Sequence, residues 1–255
     1  MNILFLGTGT STGTPSLCCK CAVCLSTDKK NKRLRASVLI KNKGFNTLID
    51  TSTDLRQQCL TYGIQHIDSV LYTHAHADHV HGIDELRSFN YFNKMIIPCY
   101  GTEKTLATIK NNFSYIFNGH KPEGGGVPKL TLESLTAKSF TLGGTLITPL
   151  EIHHGSQMIT GYKIDERIAY ITDCNKIPEY TKDKIRGLDL LILNALGYKP
   201  HFTHFCLSEA LAAAEELKPK RVLLTHVNHE FDHHKVNGEL PENVRLAYDG
   251  LEVEL

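Results

Sequence analysis

The sequence predicts an α/β fold, arranged as one domain over residues 1–255. Short apolar runs of strand character alternate along the chain with stretches whose apolar spacing suits helices. Hydrophobic residues make up 41% of the chain and charged residues 22%, a composition that allows an ample core. No repeat, linker or low-complexity block divides the sequence, so a single domain is expected.

Charge, hydropathy and cysteine usage narrow the functional classes. The net charge of +1 gives no general field for capturing a long polyanion. Residues 1–7 lack the basic region and the long apolar stretch of a signal peptide, and no apolar run approaches the ~18 residues of a membrane span. We therefore expect a cytoplasmic protein whose eight cysteines bind metal or remain free thiols.

The first predicted strand, Ile3–Leu6, leads into a glycine-rich loop at Gly7–Pro15. Such a loop either cradles a phosphate with its N–H groups or forms a tight turn that needs glycine dihedral angles. It lacks the Gly-Lys-Ser/Thr ending of a P-loop, so the sequence indicates nucleotide binding only weakly.

Four thiols follow within seven residues, which suggests a metal knuckle in a reducing compartment. The spacing of Cys19, Cys21 and Cys24 supplies three ligands, and the fourth is either Cys18 or a distant histidine. Unliganded thiols are the alternative.

The next segment reads as a hairpin followed by a helix. Strands are predicted at Arg35–Lys41 and Asn46–Ile49, with a turn at Lys43-Gly44 between them. Asp50 ends the second strand, and Thr53–Tyr62 has the apolar spacing of a helix.

Three imidazoles and one carboxylate follow the short apolar strand Ser69–Tyr72, within the six residues His74–His79, here called the histidine loop. Neutral imidazole and carboxylate are the ordinary ligands of zinc- and manganese-type ions. The spacing lets His74 and His76 reach one ion while Asp78 and His79 reach a second. A polar surface loop that happens to be rich in histidine is the alternative.

The segment Asn111–Leu135 combines aromatic residues with three consecutive glycines at Gly124–Gly126. This combination suggests either a mobile flap anchored by its rings or an ordinary surface loop. Tyr115 and His120 are its candidate substrate contacts.

The remaining elements are predicted from apolar runs, turn residues and caps. They are a helix at Gly82–Phe89, hairpins formed by Thr141–Thr148 and by Gly161–Ile164 with Ile168–Ile171, a strand at Leu188–Leu193 ended by Asn194, a helix at Glu209–Leu217 capped by Ser208, and a C-terminal hairpin at Arg245–Leu255 with a type I′ turn at Asp249-Gly250.

His204 precedes the predicted helix Glu209–Leu217, close to the positive end of the helix dipole. A phosphate oxygen is favoured at such a place, and a histidine buried beneath the helix is the alternative. The dipole also lowers the pKa of an imidazole and weakens it as a proton donor, an effect that a bound phosphate would offset.

The histidine loop resembles the H-x-H-x-D-H motif of the metallo-β-lactamase-fold hydrolases. The resemblance implies three further ligands at strand ends, in the order His, Asp, His. His154, Asp173 and His226 each follow an apolar run and match this order, with His153 as the alternative to His154. The resemblance covers nearly the whole chain and implies an αββα sandwich of two mixed β-sheets flanked by helices.

The resemblance also implies how the ligands are shared between two ions, zinc or manganese. One ion would be held by His74, His76 and His154, and the other by Asp78, His79 and His226, with Asp173 bridging the two. Asp50 would either support the histidine loop or simply cap its own strand.

The cysteine cluster and His204 resemble one branch, the PhnP-type phosphoribosyl cyclic-phosphate phosphodiesterases. In that branch a cysteine knuckle pairs with a histidine three residues beyond the last catalytic histidine. That position is His229, so Cys19, Cys21, Cys24 and His229 are assigned to one closed structural zinc site. The branch also implies that His204 assists the leaving group, and relatives often carry an acidic residue where this chain has Asn194.

The resemblance implies a dinuclear metal-dependent phosphodiesterase in which a metal-bound hydroxide attacks a small, cyclic phosphodiester, with Asp78 and His204 as catalytic residues. A tRNA 3′-end endoribonuclease of the tRNase Z type is the main alternative, and the near-neutral charge argues against it. A thioester or lactam hydrolase is a third reading. The expected partner is a small phosphodiester, without a membrane, and both nucleic-acid binding and a homodimer stay open.

Overall fold

The strands of the first half of the chain pair into one mixed sheet, and most of those in the second half pair into another. In the computed structural model, which describes residues 1–119 and 126–255, each sheet has seven strands. The sheets pack face to face and carry helices on their outer faces. The predicted α/β class and the αββα sandwich are therefore confirmed.

The first sheet contains β1 (Asn2–Gly7), β2 (Ser37–Asn42), β3 (Phe45–Ile49), β4 (Ser69–Leu71), β5 (Ile97–Gly101), β6 (Leu130–Ser134) and β14 (Glu252–Glu254). Its strand order is β14-β1-β2-β3-β4-β5-β6, antiparallel from β14 to β3 and parallel from β3 to β6. Parallel pairing brings the carboxyl ends of β3 and β4 to the same edge, where the histidine loop begins.

The second sheet contains β7 (Phe140–Leu142), β8 (Thr145–His154), β9 (Gln157–Ile164), β10 (Ile168–Ile171), β11 (Leu190–Asn194), β12 (Arg221–Thr225) and β13 (Val244–Leu246). Its strand order is β13-β12-β11-β10-β9-β8-β7, parallel from β13 to β10 and antiparallel from β10 to β7. The hairpins predicted at Thr141–Thr148 and at Gly161–Ile164 with Ile168–Ile171 are present.

Helices in the described residues are α1 (Ala22–Leu25), α2 (Leu55–Thr61), α3 (Ala77–Val80), α4 (Leu86–Asn93), α5 (Glu103–Asn112), α6 (Ser114–Phe117), α7 (Glu179–Ile185), α8 (Leu207–Leu217) and α9 (His233–Glu239). Short 3-10 turns lie at Lys29–Asn31 and Ile83–Glu85. Among the helices of residues 1–119 and 126–255, none combines the length and the hydropathy that a membrane span requires.

The core consists of three apolar layers, one between the sheets and one beneath the helices of each sheet. Strand β11 shows how the sequence produces them. Leu190 and Ile192 pack between the sheets, whereas Leu191 and Leu193 pack under α7 and α8. Successive side chains of a strand point to opposite faces, so a strand covered on both faces is apolar throughout.

The predicted C-terminal hairpin is wrong. β13 pairs with β12 in the second sheet, and β14 pairs with β1 in the first, so the segment between them crosses from one sheet to the other. Asp249 is not a turn residue in solvent: its half-buried carboxylate accepts hydrogen bonds from Thr8 Oγ1 at 2.7 Å and Leu34 N at 2.6 Å. Of the two turn residues, Gly250 has a positive φ of 89°, whereas a type I′ turn needs positive φ at both.

Two other predictions need correction at their boundaries. α8 begins at Leu207 with Cys206 as its N-cap, two residues before the predicted cap at Ser208. The Cys206 backbone N–H donates to Glu209 Oε2 at 2.9 Å, which satisfies this helix end without the usual hydroxyl or carboxamide cap. The segment predicted as a flap contains α6 and β6, and its residues His120–Gly125 lie outside the described ranges.

Candidate metal centre

Side chains that end neighbouring strands converge at one edge of the sandwich. The histidine loop follows β4 of the first sheet, and His154 is the last residue of β8 in the second. Asp173 and His226 lie just beyond β10 and β12. Both sheets therefore supply ligand atoms to one cluster, as the order of the residues along the chain predicts.

The first group of ligands consists of His74, His76 and His154, whose ligand nitrogens all lie within 4.8 Å of one another. His74 Nε2 is 2.9 Å from His76 Nδ1. His154 Nδ1 donates to the Asp173 carbonyl oxygen at 2.7 Å, which leaves Nε2 as its ligand nitrogen. Burial lowers the pKa of His74 and of His76, so both rings are neutral, the form that binds a metal ion.

The second group consists of Asp78, His79, Asp173 and His226, all four buried. Asp173 Oδ2 lies 3.2 Å from His79 Nε2, and Asp173 Oδ1 lies 3.0 Å from His226 Nε2. Asp78 Oδ2 lies 3.3 Å and 3.7 Å from the same two nitrogens. The Asp173 carboxylate is thus at the centre of this group, while its backbone carbonyl contacts the first.

The ring nitrogens of this group fit a cation better than they fit one another. His79 Nε2 and both ring nitrogens of His226 are buried and make no hydrogen bond within the described residues, although carboxylate oxygens lie close by. A buried polar atom without a hydrogen bond destabilises the fold. These nitrogens lie close to carboxylate oxygens but are not aligned with them for hydrogen bonding, which indicates that both kinds of atom point toward a common position between them. The donor set of imidazole and carboxylate suits zinc or manganese.

The charges in the cluster lead to the same conclusion. Burial opposes ionisation of Asp173, but His226 and His79 outweigh it and hold the pKa of that carboxyl well below its usual range. Burial likewise disfavours the imidazolium of His226, but Asp173 outweighs it and raises the pKa of the ring to about 9. The carboxylates therefore concentrate negative charge at a point where positive charge is stabilised.

Asp50 supports the histidine loop from the end of β3, as one of its two predicted roles requires. Asp50 Oδ2 accepts from His79 Nδ1 at 2.7 Å, which leaves His79 Nε2 free to face Asp173. The same carboxylate accepts from Thr73 N and from Thr73 Oγ1, both at 2.8 Å. A carboxylate on the far nitrogen of a ligand histidine fixes its tautomer and its orientation.

Three residues at this edge have left-handed backbone conformations that are unusual for residues with side chains. Their φ angles are 62° at Asp50, 56° at Asp173 and 51° at His226. Such conformations persist where the surrounding structure imposes them, and they turn the chain sharply at the end of a strand. The strand ends thereby aim these side chains across the edge of the sheets.

His204 lies beside the second group, in the loop before α8. Its Nε2 is 3.0 Å from Asp173 Oδ1, and its ring stacks on that of His226 with centroids 5.0 Å apart. His204 also falls within 4.8 Å of ligand atoms of His154 and Asp173, so the geometry allows it as a ligand as well as a hydrogen-bonding group. Burial lowers its pKa, although Asp173 opposes that effect.

Two supporting residues complete the site, and sequence reasoning identified neither role. Asn194 Oδ1 accepts from Cys174 N at 2.7 Å, so this amide fixes the turn that carries Asp173 without any charge of its own. The Thr203 carbonyl accepts from His154 Nδ1 at 3.1 Å, and its hydroxyl lies 2.8 Å from His204 Nδ1. Adjacency to His204 was the signal that could have pointed to Thr203.

A separate thiol cluster consists of Cys19, Cys21, Cys24 and His229, whose ligand atoms lie within 4.8 Å of one another. His229 Nδ1 lies 3.4 Å from both Cys19 Sγ and Cys21 Sγ. The hydrogen bond with His229 lowers the pKa of Cys21 to about 6, which favours the thiolate that binds metal. The fourth partner is thus the distant histidine, while Cys18 is exposed.

Two other candidates lie apart from the cluster. His153 precedes His154 in β8, and its backbone N–H donates to the Lys176 carbonyl. Tyr115 donates to Asp84 Oδ1 at 2.7 Å. The predicted contact His120 lies outside the described residues.

Comparison with known proteins places this geometry in a family. The profile described as the beta-lactamase superfamily domain matches residues 46–227, which include both ligand groups. The chain belongs to the β-lactamase superfamily.

Three individual proteins are similar to this chain to different degrees. A crystal structure of a diphosphatase from the PhnP family has 38% sequence identity and a TM-score of 0.92, covering 100% of this chain and 97% of the other. Human tRNase Z, short form, has 19% identity and a TM-score of 0.70, covering 100% and 99%, and shows the fold alone. The octanoyltransferase of Porphyromonas gingivalis is 36% identical over 255 residues, and this chain spans about half (51%) of that relative's length.

Proposed function

We propose that this metallo-β-lactamase-superfamily chain is a dinuclear metal-dependent hydrolase of small phosphodiesters, cyclic ones among them. The observation that carries the proposal is the position of Asp173. Its carboxylate lies within 3.2 Å of nitrogens of His79, His226 and His204, and its carbonyl accepts from His154. One residue thus connects both ligand groups to the histidine assigned to the leaving group.

The proposed ligands follow the two groups, with zinc or manganese as the ion. The first position would be held by His74, His76 and His154, the second by Asp78, His79 and His226, and both by Asp173. When bound, two divalent ions lower the pKa of a water molecule and neutralise charge on the phosphate oxygens.

The chain's own groups supply orientation and proton transfer. Asp50 holds the tautomer of His79, and the Asp173 carbonyl holds that of His154. His204 Nε2 faces Asp173 Oδ1, so a proton on that nitrogen is available to a departing oxygen at the same edge. Asp78 contributes its buried carboxylate to the second position.

We further propose that the thiol cluster is a closed structural zinc site. It joins the loop after β1 to the segment after β12, because Cys19 and His229 are 210 residues apart in the chain. All four ligand positions come from the protein, so the site leaves none for water. Cysteines that bind zinc or stay reduced, without disulfide bonds, fit a reducing, cytoplasmic setting.

The similarity to the PhnP-family diphosphatase favours hydrolysis at a phosphate group. The alternatives have less support. tRNA cleavage of the tRNase Z type shares the ligand set, but the net charge of +1 offers little to a long polyanion. The relative named octanoyltransferase is about twice as long as this chain. We therefore do not assign its activity to this chain.

A turnover panel tests the proposal. Cyclic phosphates and bis(p-nitrophenyl) phosphate should be hydrolysed with added Mn or Zn, whereas precursor tRNA and a thioester should not. Asp173→Ala should lose catalytic-site metal and nearly all turnover. The control variant Asp189→Asn, a partly exposed position just before the amino end of β11 and outside both ligand groups, should keep both. Full metal occupancy with the wild-type rate in Asp173→Ala would contradict the assignment.

A further inference from the structure

Phe202 is a large aromatic side chain left in solvent at the rim of the candidate metal centre. Its side chain is 77% exposed, and it lies two residues before His204. Leaving an aromatic ring in water forgoes the free energy that burial would give, so the core does not explain its position. A ring at this position is available to a ligand.

The Phe202 ring packs beside Gly155, a position that favours glycine. Gly155 directly follows His154 and has a φ of 61°, a conformation suited to glycine. A Cβ at Gly155 would lie 3.1 Å from Phe202 Cε1 and 2.9 Å from Thr203 Cγ2. The Phe202 ring therefore lies so close to Gly155 that a side chain at that position would crowd it.

Hydrogen bonds fix the same segment to the site. The Thr203 carbonyl accepts from His154 Nδ1 at 3.1 Å, and the Thr203 hydroxyl lies 2.8 Å from His204 Nδ1. The chain beside Phe202 is thus held in place relative to two site histidines. A pre-positioned ring binds a ligand with less loss of conformational freedom than a mobile one.

We propose that Phe202 is a stacking platform for a planar ring of the substrate, which makes the preferred substrate a phosphodiester that carries a nucleobase. The proposal rests on the proposed phosphodiesterase function. Aromatic faces stack on every base, so this contact selects for the presence of a ring instead of for one base. Phe202 would act on binding, away from the reacting atoms.

Matched substrates test the contribution of the ring to turnover. Adenosine 2′,3′-cyclic phosphate and methyl riboside 2,3-cyclic phosphate share the reacting group and differ only in the base. The metal-loaded wild type should show a lower KM for the adenosine compound, by about tenfold. Phe202→Ala should remove this difference through KM with kcat kept, and Phe202→Trp should retain it.

Phe92 supplies the control variant. It is 78% exposed on α4, where its ring contacts Tyr91 with centroids 5.1 Å apart. Phe92→Ala should leave both KM values unchanged. Equal KM values in the wild type, or an equal loss on both substrates in Phe202→Ala, would overturn the proposal.

A binding measurement separates this proposal from the hydrolytic function. The chain contains no tryptophan, so Phe202→Trp introduces a single tryptophan, which can be excited at a longer wavelength than the ten tyrosines. AMP should quench its fluorescence saturably at concentrations at which ribose 5-phosphate does not, while Phe92→Trp should respond to neither. Selective quenching without turnover of any phosphodiester would sink the proposed function and leave the stacking site; equal quenching by both ligands would overturn the stacking site itself.

Discussion

At the scale of single residues, neighbouring side chains determine what each titratable group of the site can do. Asp50 leaves His79 with one free nitrogen, and the Asp173 carbonyl does the same for His154. Asp173 stays ionised despite burial because His226 and His79 outweigh the cost of desolvation. In the first group the rings of His74 and His76 are therefore neutral, and in the second the Asp173 carboxylate is ionised, which are the forms of these side chains that bind a metal ion.

The role of His204 can be separated from metal binding. Because the ligands lie elsewhere in the proposed assignment, His204→Ala should keep its metal content. Turnover of a diester with a poor leaving group should fall by about 10²–10⁴-fold, the usual contribution of one acid–base group. The loss should shrink for a nitrophenyl ester, whose leaving oxygen needs little protonation.

Metal analysis alongside rates on both ester types checks this expectation, with His66→Ala as control, because His66 is a half-buried histidine outside both ligand groups. An equal loss on good and poor leaving groups would indicate that His204 positions the phosphate instead of donating a proton. Loss of metal from His204→Ala would make the residue a ligand, as its distance from Asp173 also allows.

At the scale of elements, strand ends and the loops that follow them carry the site. Left-handed residues turn the chain after β3, β10 and β12, and the thiol cluster ties the loop after β1 to the segment after β12. These four strands, β1, β3, β10 and β12, are each paired with a neighbouring strand on both sides, so the residues at their ends are held more precisely than in free loops.

The thiol cluster should contribute to stability through its metal. Cys21→Ser should remove about one zinc per chain and lower the melting temperature, since a closed zinc site contributes directly to the free energy of folding. Cys18→Ser is the matched control, because Cys18 is an exposed neighbour outside the cluster. Unchanged zinc content and melting temperature in Cys21→Ser would show that the thiols are unliganded.

The N-terminus of α9 should make stability depend on pH. Arg33 Nη2 lies 3.3 Å from His233 Nδ1, which must accept because a guanidinium only donates. Burial, and then the charge of Arg33, lower the pKa of His233 to about 4 from 6.5. The pKa of His233 is lower in the folded state than in the unfolded state. The neutral ring therefore contributes fully to the free energy of unfolding above pH 6.5, and this contribution is lost as the pH falls toward 4.

Replacing His233 by glutamine keeps an acceptor for Arg33 and removes the titration. Between pH 7 and pH 5 the free energy of unfolding of the wild type should fall by on the order of 1–2 kcal/mol more than that of His233→Gln. Denaturant unfolding at both pH values measures this difference. If the free energy of unfolding fell by the same amount between the two pH values in both proteins, the pKa of His233 would be the same in the folded and unfolded states.

At the scale of the whole molecule, the two sheets must keep their relative position for the ligands to meet. Tyr162 on β9 donates to the Tyr72 carbonyl beyond β4 at 2.6 Å, and Thr160 N donates to the Thr73 carbonyl at 3.0 Å. These bonds join the second sheet to the start of the histidine loop. The apolar layer between the sheets surrounds them.

Two fully buried tyrosines test the value of this junction. Tyr162→Phe should destabilise the fold by about 1–3 kcal/mol, because it removes the donor to a buried carbonyl. Tyr170→Phe on the adjacent strand should be neutral or stabilising, since the Tyr170 hydroxyl is buried without a hydrogen-bond partner among the described residues. Chemical denaturation of both variants gives the comparison, and equal effects would contradict it.

The sequence alone determined the local features of this protein. The spacing of the histidine loop, the continuous apolar runs of the buried strands and the cysteine spacing each depend on residues close together in the chain. The family resemblance then supplied the order of the distant ligands, and the structure brings those residues together at one edge.

Only the tertiary structure decided the long-range relations. Strand register places His154 opposite Gln157 and His153 opposite Met158, and since side chains alternate along a strand, one of the two histidines faces the cluster and the other does not. The C-terminal segment reads locally as a hairpin, but its two strands pair with different sheets, and between them the Asp249 carboxylate accepts hydrogen bonds from Thr8 and Leu34. Such pairings depend on the free energy of the assembled core, which no short stretch of sequence contains.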